Sequence, residues 1–269
     1  VFVTPRTWTK KEEWVSQKKE EKKWKDVIVY DGISLAQWLD EAPAVSRWFA
    51  SQGYAGVCSS EGIMTADEYW EEWSCSRQLE LTPDCVLAGR EVAREALIKL
   101  LEGDPSIIGV RASTKGEAIA FILATMKASD PELSGRFFST ALIVDQEDRF
   151  RSISLSIQHA LNLIVRFDNA GLFSSAVRRG HHVLVPLGAD DVFSPDPITL
   201  PAVDRDALIA ALVASGLSRA KASKYTKESG HDITILKKLL GFPSYGAAWM
   251  NSQPIRELIP ALLLGRWDE

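Results

Sequence analysis

The sequence predicts an α/β protein built on a parallel sheet, and three observations predict it. Short apolar runs of strand character recur at residues 106–111, 141–144, 163–165 and 183–185. Segments of helical periodicity separate them, which is the pattern of a parallel sheet covered on both faces. After Pro195, Pro197 and Pro201 the strand signal stops and helical stripes remain, so a helical bundle is expected to follow the sheet. The 269 residues are 46% hydrophobic and 25% charged, a composition that places the chain among folded domains and excludes disorder, collagen and coiled coil.

At the N-terminus, Val1-Phe2-Val3 reads as a buried strand stopped by Pro5. Trp14, Lys18 and residues 21–25 belong to a charged helical stretch whose unlike charges suit a solvated face. Val27-Ile28-Val29-Tyr30 is the second strand, and Asp31-Gly32 closes it. Ser34 is then placed to cap a helix burying Leu35, Trp38 and Leu39. Residues 1–52 thus form a βαβα fragment with no closed core of its own, and residues upstream of Val1 are expected to complete its sheet. Residues 53–85 carry Gly53, Gly56, Gly62 and the acidic aromatic run Asp67-Glu68-Tyr69-Trp70-Glu71-Glu72-Trp73 without sustained periodicity. They read as an acidic linker in which Trp70 and Trp73 pack one face of a short helical turn. Seven of the nine tryptophans lie in the first 73 residues, so the chain is compositionally two things.

The core is expected over 86–195. Val92, Ala96, Leu97, Leu100 and Leu101 sit at helical spacing, Gly103-Asp104-Pro105 breaks that helix, and the strand at 106–111 follows. Ile119, Ile122, Leu123 and Met126 mark the next amphipathic helix. Helical segments near 149–159 and 172–178 separate the later strands. The bundle over 196–269 shows stripes at Leu208, Ile209, Leu212 and Val213, then a polar helix over 219–228. Further stripes follow at Ile235, Leu236, Leu239 and Leu240 and at Ile255, Leu258, Ile259 and Leu262. Gly216, Gly230, Gly241 and Gly265 act as stops.

Several function classes fall away. Thirty-one Lys plus Arg against 36 Asp plus Glu give a net charge of −5, without the basic field of an obligate nucleic-acid binder. Cys58, Cys75 and Cys85 are odd in number and lack CxxC spacing, so they read as reduced thiols of a cytoplasmic protein, with neither disulfide framework nor zinc site. Apolar runs such as 258–264 are far short of the roughly 20 residues that span a bilayer, and no membrane partner is expected. His181 and His182, adjacent at a strand start, point to opposite faces and cannot chelate one metal together; His159 and His231 show no ligand spacing with them. No G-x-S-x-G turn is present. Nucleic acid remains an alternative partner through residues 6–25, where Arg6, Lys10, Lys11, Lys18, Lys19, Lys22, Lys23 and Lys25 interleave with tryptophans. Glu12, Glu13, Glu20 and Glu21 make a solvated face the default there. Arg178-Arg179-Gly180, Arg219, Lys221, Lys224 and Lys227 form a second basic group, fit for phosphates or an acidic partner surface.

At Leu87-Ala88-Gly89-Arg90-Glu91 a Gly-Arg-Glu opens a helix, followed after a break by a buried strand, a turn and an amphipathic helix. This resembles the entry to the nucleotide-binding domain of STAND and AAA-type P-loop NTPases, and the order of sheet and post-proline bundle is similar to that family's core and lid. The resemblance covers residues 85–269. It implies a P-loop-NTPase-like core with a C-terminal helical lid, ATP or ADP with Mg²⁺ as cofactor, and nucleotide-binding candidates Gly89, Arg90, Ser113, Thr114, Lys115 and Gly116. A working P-loop has G-x-x-x-x-G-K-[ST], because backbone N–H groups cradle phosphates, the lysine neutralises them and the hydroxyl holds Mg²⁺. Here the turn reads Arg111-Ala112-Ser113-Thr114-Lys115-Gly116-Glu117-Ala118: Glu117 stands in the lysine's place and Ala118 in the hydroxyl's, with Lys115 and Glu117 expected in water. Asp145, after the strand at 141–144, and Asp168, after that at 163–165, are the two Walker B-like acids. Residues 1–50 are similar to the closing strands and helix of Mrr-type restriction-endonuclease-like domains, whose catalytic groups would lie upstream of Val1. Together these resemblances imply a regulatory or scaffolding module of a larger bacterial defence or signalling protein, contacting its other domains and self-associating, with weak nucleotide binding and no hydrolysis. An active ATPase that drives oligomerisation through Lys115 with Asp145 or Asp168 is one alternative; a nucleic-acid-binding module is the other.

Overall fold

The computed structural model describes residues 1–50, 62–75 and 79–241. It is a mixed α/β fold whose larger sheet has six mostly parallel strands. Among the described residues no helix is long and apolar enough to cross a membrane. Contacts divide the chain into two compact units, residues 1–66 with 131–183, and residues 67–130 with 184–269.

The first unit opens with β1 (Phe2–Val3), α1 (Lys11–Glu20), β2 (Val29–Tyr30), α2 (Gly32–Glu41) and α3 (Pro43–Phe49). β1 and β2 pair in parallel, Phe2 with Val29 and Val3 with Tyr30, so the expected βαβ unit is present. Its predicted burial is not: Val1, Phe2 and Val3 are exposed, and α1 and α2 bury no residue fully. A two-residue strand with one partner offers no second layer to cover it. Phe2 packs instead on Trp8 and Trp14, with ring centroids 5.4–5.8 Å apart in this trio. The cap of α2 is Asp31, whose carboxylate accepts from the Ser34 N–H at 3.2 Å, so Ser34 is the recipient of the cap and not the cap itself. Lys11 donates to the same carboxylate at 2.9 Å, and this ammonium contact holds the Asp31 carboxyl well below its ordinary range.

Where an irregular linker is expected over 53–85, the described residues carry β3 (Ile63–Thr65), α4 (Ala66–Ser74) and α5 (Pro83–Leu87). β3 runs antiparallel to β5 (Ala141–Val144), Ile63 opposite Val144. Three residues are too few to show a period, which is why the strand is silent in the sequence. The rest of the first unit is α8 (Pro131–Thr140), α9 (Glu147–Ser156), β6 (Asn162–Val165), α10 (Ala170–Val177) and the start of β7 (His182–Leu187). β5 and β6 are parallel strands in register from Ala141–Asn162 to Val144–Val165, apolar and buried apart from Asn162 at the start of β6, as expected of strands covered on both faces. Phe150, Phe167 and Phe173 close one cluster with ring centroids 5.5–5.8 Å apart, Phe150 edge to face with each of the other two.

The second unit holds α4, α5, α6 (Glu91–Leu101), β4 (Ile107–Arg111), α7 (Lys115–Lys127), most of β7, β8 (Ile198–Thr199), α11 (Arg205–Ala214), α12 (Arg219–Glu228) and α13 (Ile233–Gly241). α7 is not the amphipathic helix expected: every residue from Glu117 to Met126 is buried, Glu117 and Thr125 included, because alanines and Phe121 fill the face that an amphipathic helix would leave polar. The sheet order is β3-β5-β6-β7-β4-β8, with β8 parallel to β4 through Val110–Ile198 and Arg111–Thr199. β8, two residues beside Pro197, and α8, whose apolar signal is little more than Leu133 and Phe137, are absent from the sequence expectation. Gly216 and Gly230 take positive φ and end α11 and α12 as predicted. The last predicted stripe, at Ile255 to Leu262, and Gly265, Cys58, Trp249 and Trp267 lie outside the described residues.

Candidate functional site

β4 lies between β7 and β8 in the sheet order, the kind of topological switch point whose carboxyl-end crevice takes ligands in doubly wound sheets. The connection that leaves β4 there is the turn singled out in the sequence, Ala112, Ser113 and Thr114, three residues before α7 begins. Ala112 N–H donates to the Leu187 carbonyl at 3.1 Å. Thr114 is the N-cap, accepting from Glu117 N–H at 3.2 Å. Its hydroxyl also sits 3.1 Å from that of Thr234 on α13, while Ser113 is exposed.

The charged members of the turn have intramolecular partners. Lys115 Nζ lies 3.2 Å from Asp191 Oδ2. Asp191 also accepts from Gly188 N–H at 2.8 Å, and this bond first, then Lys115, keeps its carboxyl below the ordinary value against the opposing effect of burial. Arg111 donates to the Asp191 carbonyl at 2.7 Å, fastening the loop after β7 over the end of β4.

Glu117 overturns the expectation that it stands in water. It is 1% exposed, and its Oε1 accepts from Arg90 Nη2 at 2.6 Å. Arg90, itself 3% exposed, donates further from Nε to the Pro201 carbonyl at 2.9 Å and from Nη1 to the Val86 carbonyl at 3.1 Å. Glu117 Oε2 is buried with no hydrogen-bond partner among the described residues. The carboxylate faces inward because a charge this deep is stable only beside its counter-charge. Arg90 thereby ties α5, the segment before α11 and α7 together. Gly89 has φ +72, and a Cβ there would stand 2.5 Å from Asp204 Cβ and 3.0 Å from its backbone nitrogen. The Gly-Arg pair therefore has a structural reason, since Asp204 N–H donates to the Ala88 carbonyl at 3.0 Å just where α11 is capped.

Gly116 makes no such demand: a Cβ would meet Tyr69 Oη at 3.5 Å and Trp73 Nε1 at 3.6 Å, ordinary contact. These two side chains come from α4, and Lys237 of α13 lies 4.7 Å over the Trp73 ring. Burial pushes the Lys237 ammonium below its usual pKa, opposed by Glu72 and Cys75. Tyr69, Trp73, Asp191, Thr234 and Lys237 are the members of this site that the sequence does not point to. The i, i+4 spacing of Tyr69 and Trp73 is the one local signal that α4 presents a continuous face.

These residues do not fit a polyphosphate with Mg²⁺. The residue at the lysine position points into the core, the neighbouring lysine is held by Asp191, and Tyr69, Trp73 and Thr234 lie against the turn. In the first unit, Arg166 grips Asp145 through two bonds of 2.5 Å each. Asp168 is exposed, and the neighbouring Asn169 caps α10 and donates to Glu147 at 3.0 Å. Among the described residues no group of three or more His, Cys, Asp or Glu is arranged to hold a metal ion.

His181 is fully buried. Its Nδ1 accepts from Leu161 N–H at 3.2 Å, so its proton sits on Nε2, 3.3 Å from the Ser154 carbonyl. Burial, reinforced by Arg179 and opposed by Ser154, lowers its pKa. His182 is also buried, and burial lowers its pKa too. Cys75 and Cys85 are free thiols, and burial pushes that of Cys85 up. At the end of α1 and just after it, Lys18 and Lys23 pair with Glu21 and Lys19 with Asp26. No family model matches the chain, and no curated protein matches it.

Proposed function

We propose that the chain is a non-hydrolysing, NTPase-like scaffolding module of a larger defence or signalling polypeptide. One observation carries this reading: Glu117, in the place of the phosphate-binding lysine, is committed to Arg90 inside the core at 2.6 Å. A carboxylate in that place adds no positive charge for a phosphate, and the contacts that bury it hold helices and loop together. The resemblance of residues 85–269 to STAND and AAA-type domains supplies the architecture of sheet and bundle, and the resemblance of residues 1–50 to restriction-endonuclease-like domains supplies the larger polypeptide.

Calorimetric titration of the purified chain with ATP and ADP in Mg²⁺ tests the reading. The expected dissociation constants are no tighter than about 1 mM, equivalent to roughly −4 kcal/mol. Mg²⁺-dependent ATP turnover that disappears in Lys115→Ala would make the chain an ATPase instead.

A further inference from the structure

We infer that the groove along α11 and α12 is a docking surface for an acidic amphipathic helix of a protein partner. The inference does not depend on the state of the turn at Lys115. From Ala207 to Ala214, α11 has eight consecutive residues without a polar side chain. Leu208, Ala211 and Leu212 are buried, whereas Ala210, Val213 and Ala214 are exposed and Ile209 is half-buried. A helix that is apolar all round is normally covered on every side, as α7 is. Among the described residues α11 is covered on one side, and its other side lines a groove of about 760 Å³.

Charge identifies the occupant. Arg205 and Arg219 line this groove, and among the described residues neither is ion-paired. Lys221, Lys224 and Lys227 add positive charge on the exposed face of α12, where the one pairing among them is Lys224 with Glu228 at 3.8 Å. Asp206 is the carboxylate of the lining. This is a basic surface on a chain of net charge −5, and it suits carboxylates that flank an apolar ridge. The ten residues of α11 extend about 15 Å at 1.5 Å per residue, which matches about three turns of a partner helix. Ala210 and Ala214, four apart, leave a low ridge that lets a second helix approach closely. Helix-in-groove recognition reads anchors at this spacing. A nucleic acid is the poorer occupant, because the lining has no aromatic ring for a base to stack on and its apolar ridge would be left without an apolar partner.

The test uses the full chain and a fluorescein-labelled peptide of about 14 residues, built from Leu, Ala and Glu, with leucines along one face and glutamates at both ends. A version with lysine for every glutamate and a labelled single-stranded oligonucleotide complete the set, all read by fluorescence anisotropy. The acidic peptide is expected to bind with a dissociation constant of about 10–100 µM, in keeping with a small interface. Arg205→Glu or Arg219→Glu is expected to weaken it about tenfold, and Ala210→Glu to abolish it. All three positions are exposed, and unchanged thermal melts verify that the variants fold. Equal binding of the lysine peptide overturns the proposal in favour of unspecific apolar adhesion. Binding of the oligonucleotide alone makes the surface a phosphate-binding one. Self-association that Ala210→Glu abolishes, with the peptide inert, makes the occupant a second copy of this chain. No binding of any probe also overturns it.

Discussion

Arg90 has all three guanidinium nitrogens engaged, two with carbonyls and one with Glu117, so the two side chains cannot be judged separately. Removing the carboxylate leaves a cation buried at 3% exposure without its counter-charge. Glu117→Ala is therefore expected to cost about 3–5 kcal/mol, the range for breaking a buried pair from one side, read as a lowered urea midpoint. Glu117→Gln keeps the shape and one acceptor and should cost less; equal losses would mean that the charge, not the packing, carries the whole effect. His181 makes a second residue-level prediction. Its folded pKa lies below the unfolded value of about 6.5, so the unfolded chain binds more protons between the two. Stability from this group is complete above pH 6.5 and is lost as the pH falls below it, because a proton on Nδ1 would face the Leu161 N–H. His182 adds in the same direction. Thermal melts from pH 7.5 to pH 5 should show a declining midpoint whose slope is reduced in His181→Gln; parallel slopes would place the acid sensitivity elsewhere.

The two glycines of the candidate site distinguish a scaffold from a phosphate cradle through the elements they begin. Gly89 precedes α6 in a left-handed conformation against the Asp204 backbone, so Gly89→Ala is expected to cost about 1–3 kcal/mol in chemical denaturation. Gly116 sits in the first turn of α7 with room for a methyl group. Gly116→Ala should be neutral or stabilise by up to about 1 kcal/mol, whereas a phosphate-cradling glycine would show its loss in nucleotide titration. Elements of strong periodicity were legible in the sequence: α6, α7, α10 to α13, β4 to β7 and the parallel pairing of β1 with β2 all lie where the apolar spacing puts them. β3 and β8 were not, since two or three residues carry no period and their stability comes from pairing with β5 and β4. The turn at 112–116 was found from its likeness to a P-loop, but the direction of Glu117 was not, because its partner Arg90 is 27 residues away. Asp191, Thr234 and Lys237 reach the turn from still more distant segments, and a single sequence carries no sign of such contacts.

For the molecule as a whole, nucleotide binding and stability are linked, which gives a test independent of turnover. A ligand present at its dissociation constant stabilises the folded state by about 0.4 kcal/mol, and one at a thousand times that concentration by about 4 kcal/mol. For a chain of this size the first shifts the melting temperature by about 1 °C and the second by roughly 8–16 °C. With 1 mM ATP and excess Mg²⁺ the proposed scaffold should therefore move by no more than about 1 °C, and a large shift would show a nucleotide site of micromolar affinity. The double variant Glu117→Lys with Ala118→Thr, which restores the lysine and the hydroxyl of a working P-loop, separates missing chemistry from missing space. The new ammonium would stand beside the buried Arg90 guanidinium, and the hydroxyl would replace a fully buried methyl group. A loss of about 4 kcal/mol or more is expected from like charges without a counter-ion, with no gain in thermal shift because Tyr69, Trp73 and Thr234 still lie against the turn. If the variant instead melts near the parent temperature and turns over ATP with Mg²⁺, the turn has the shape of a phosphate cradle and lacks only the charge, and the scaffolding role of the Arg90–Glu117 pair is wrong.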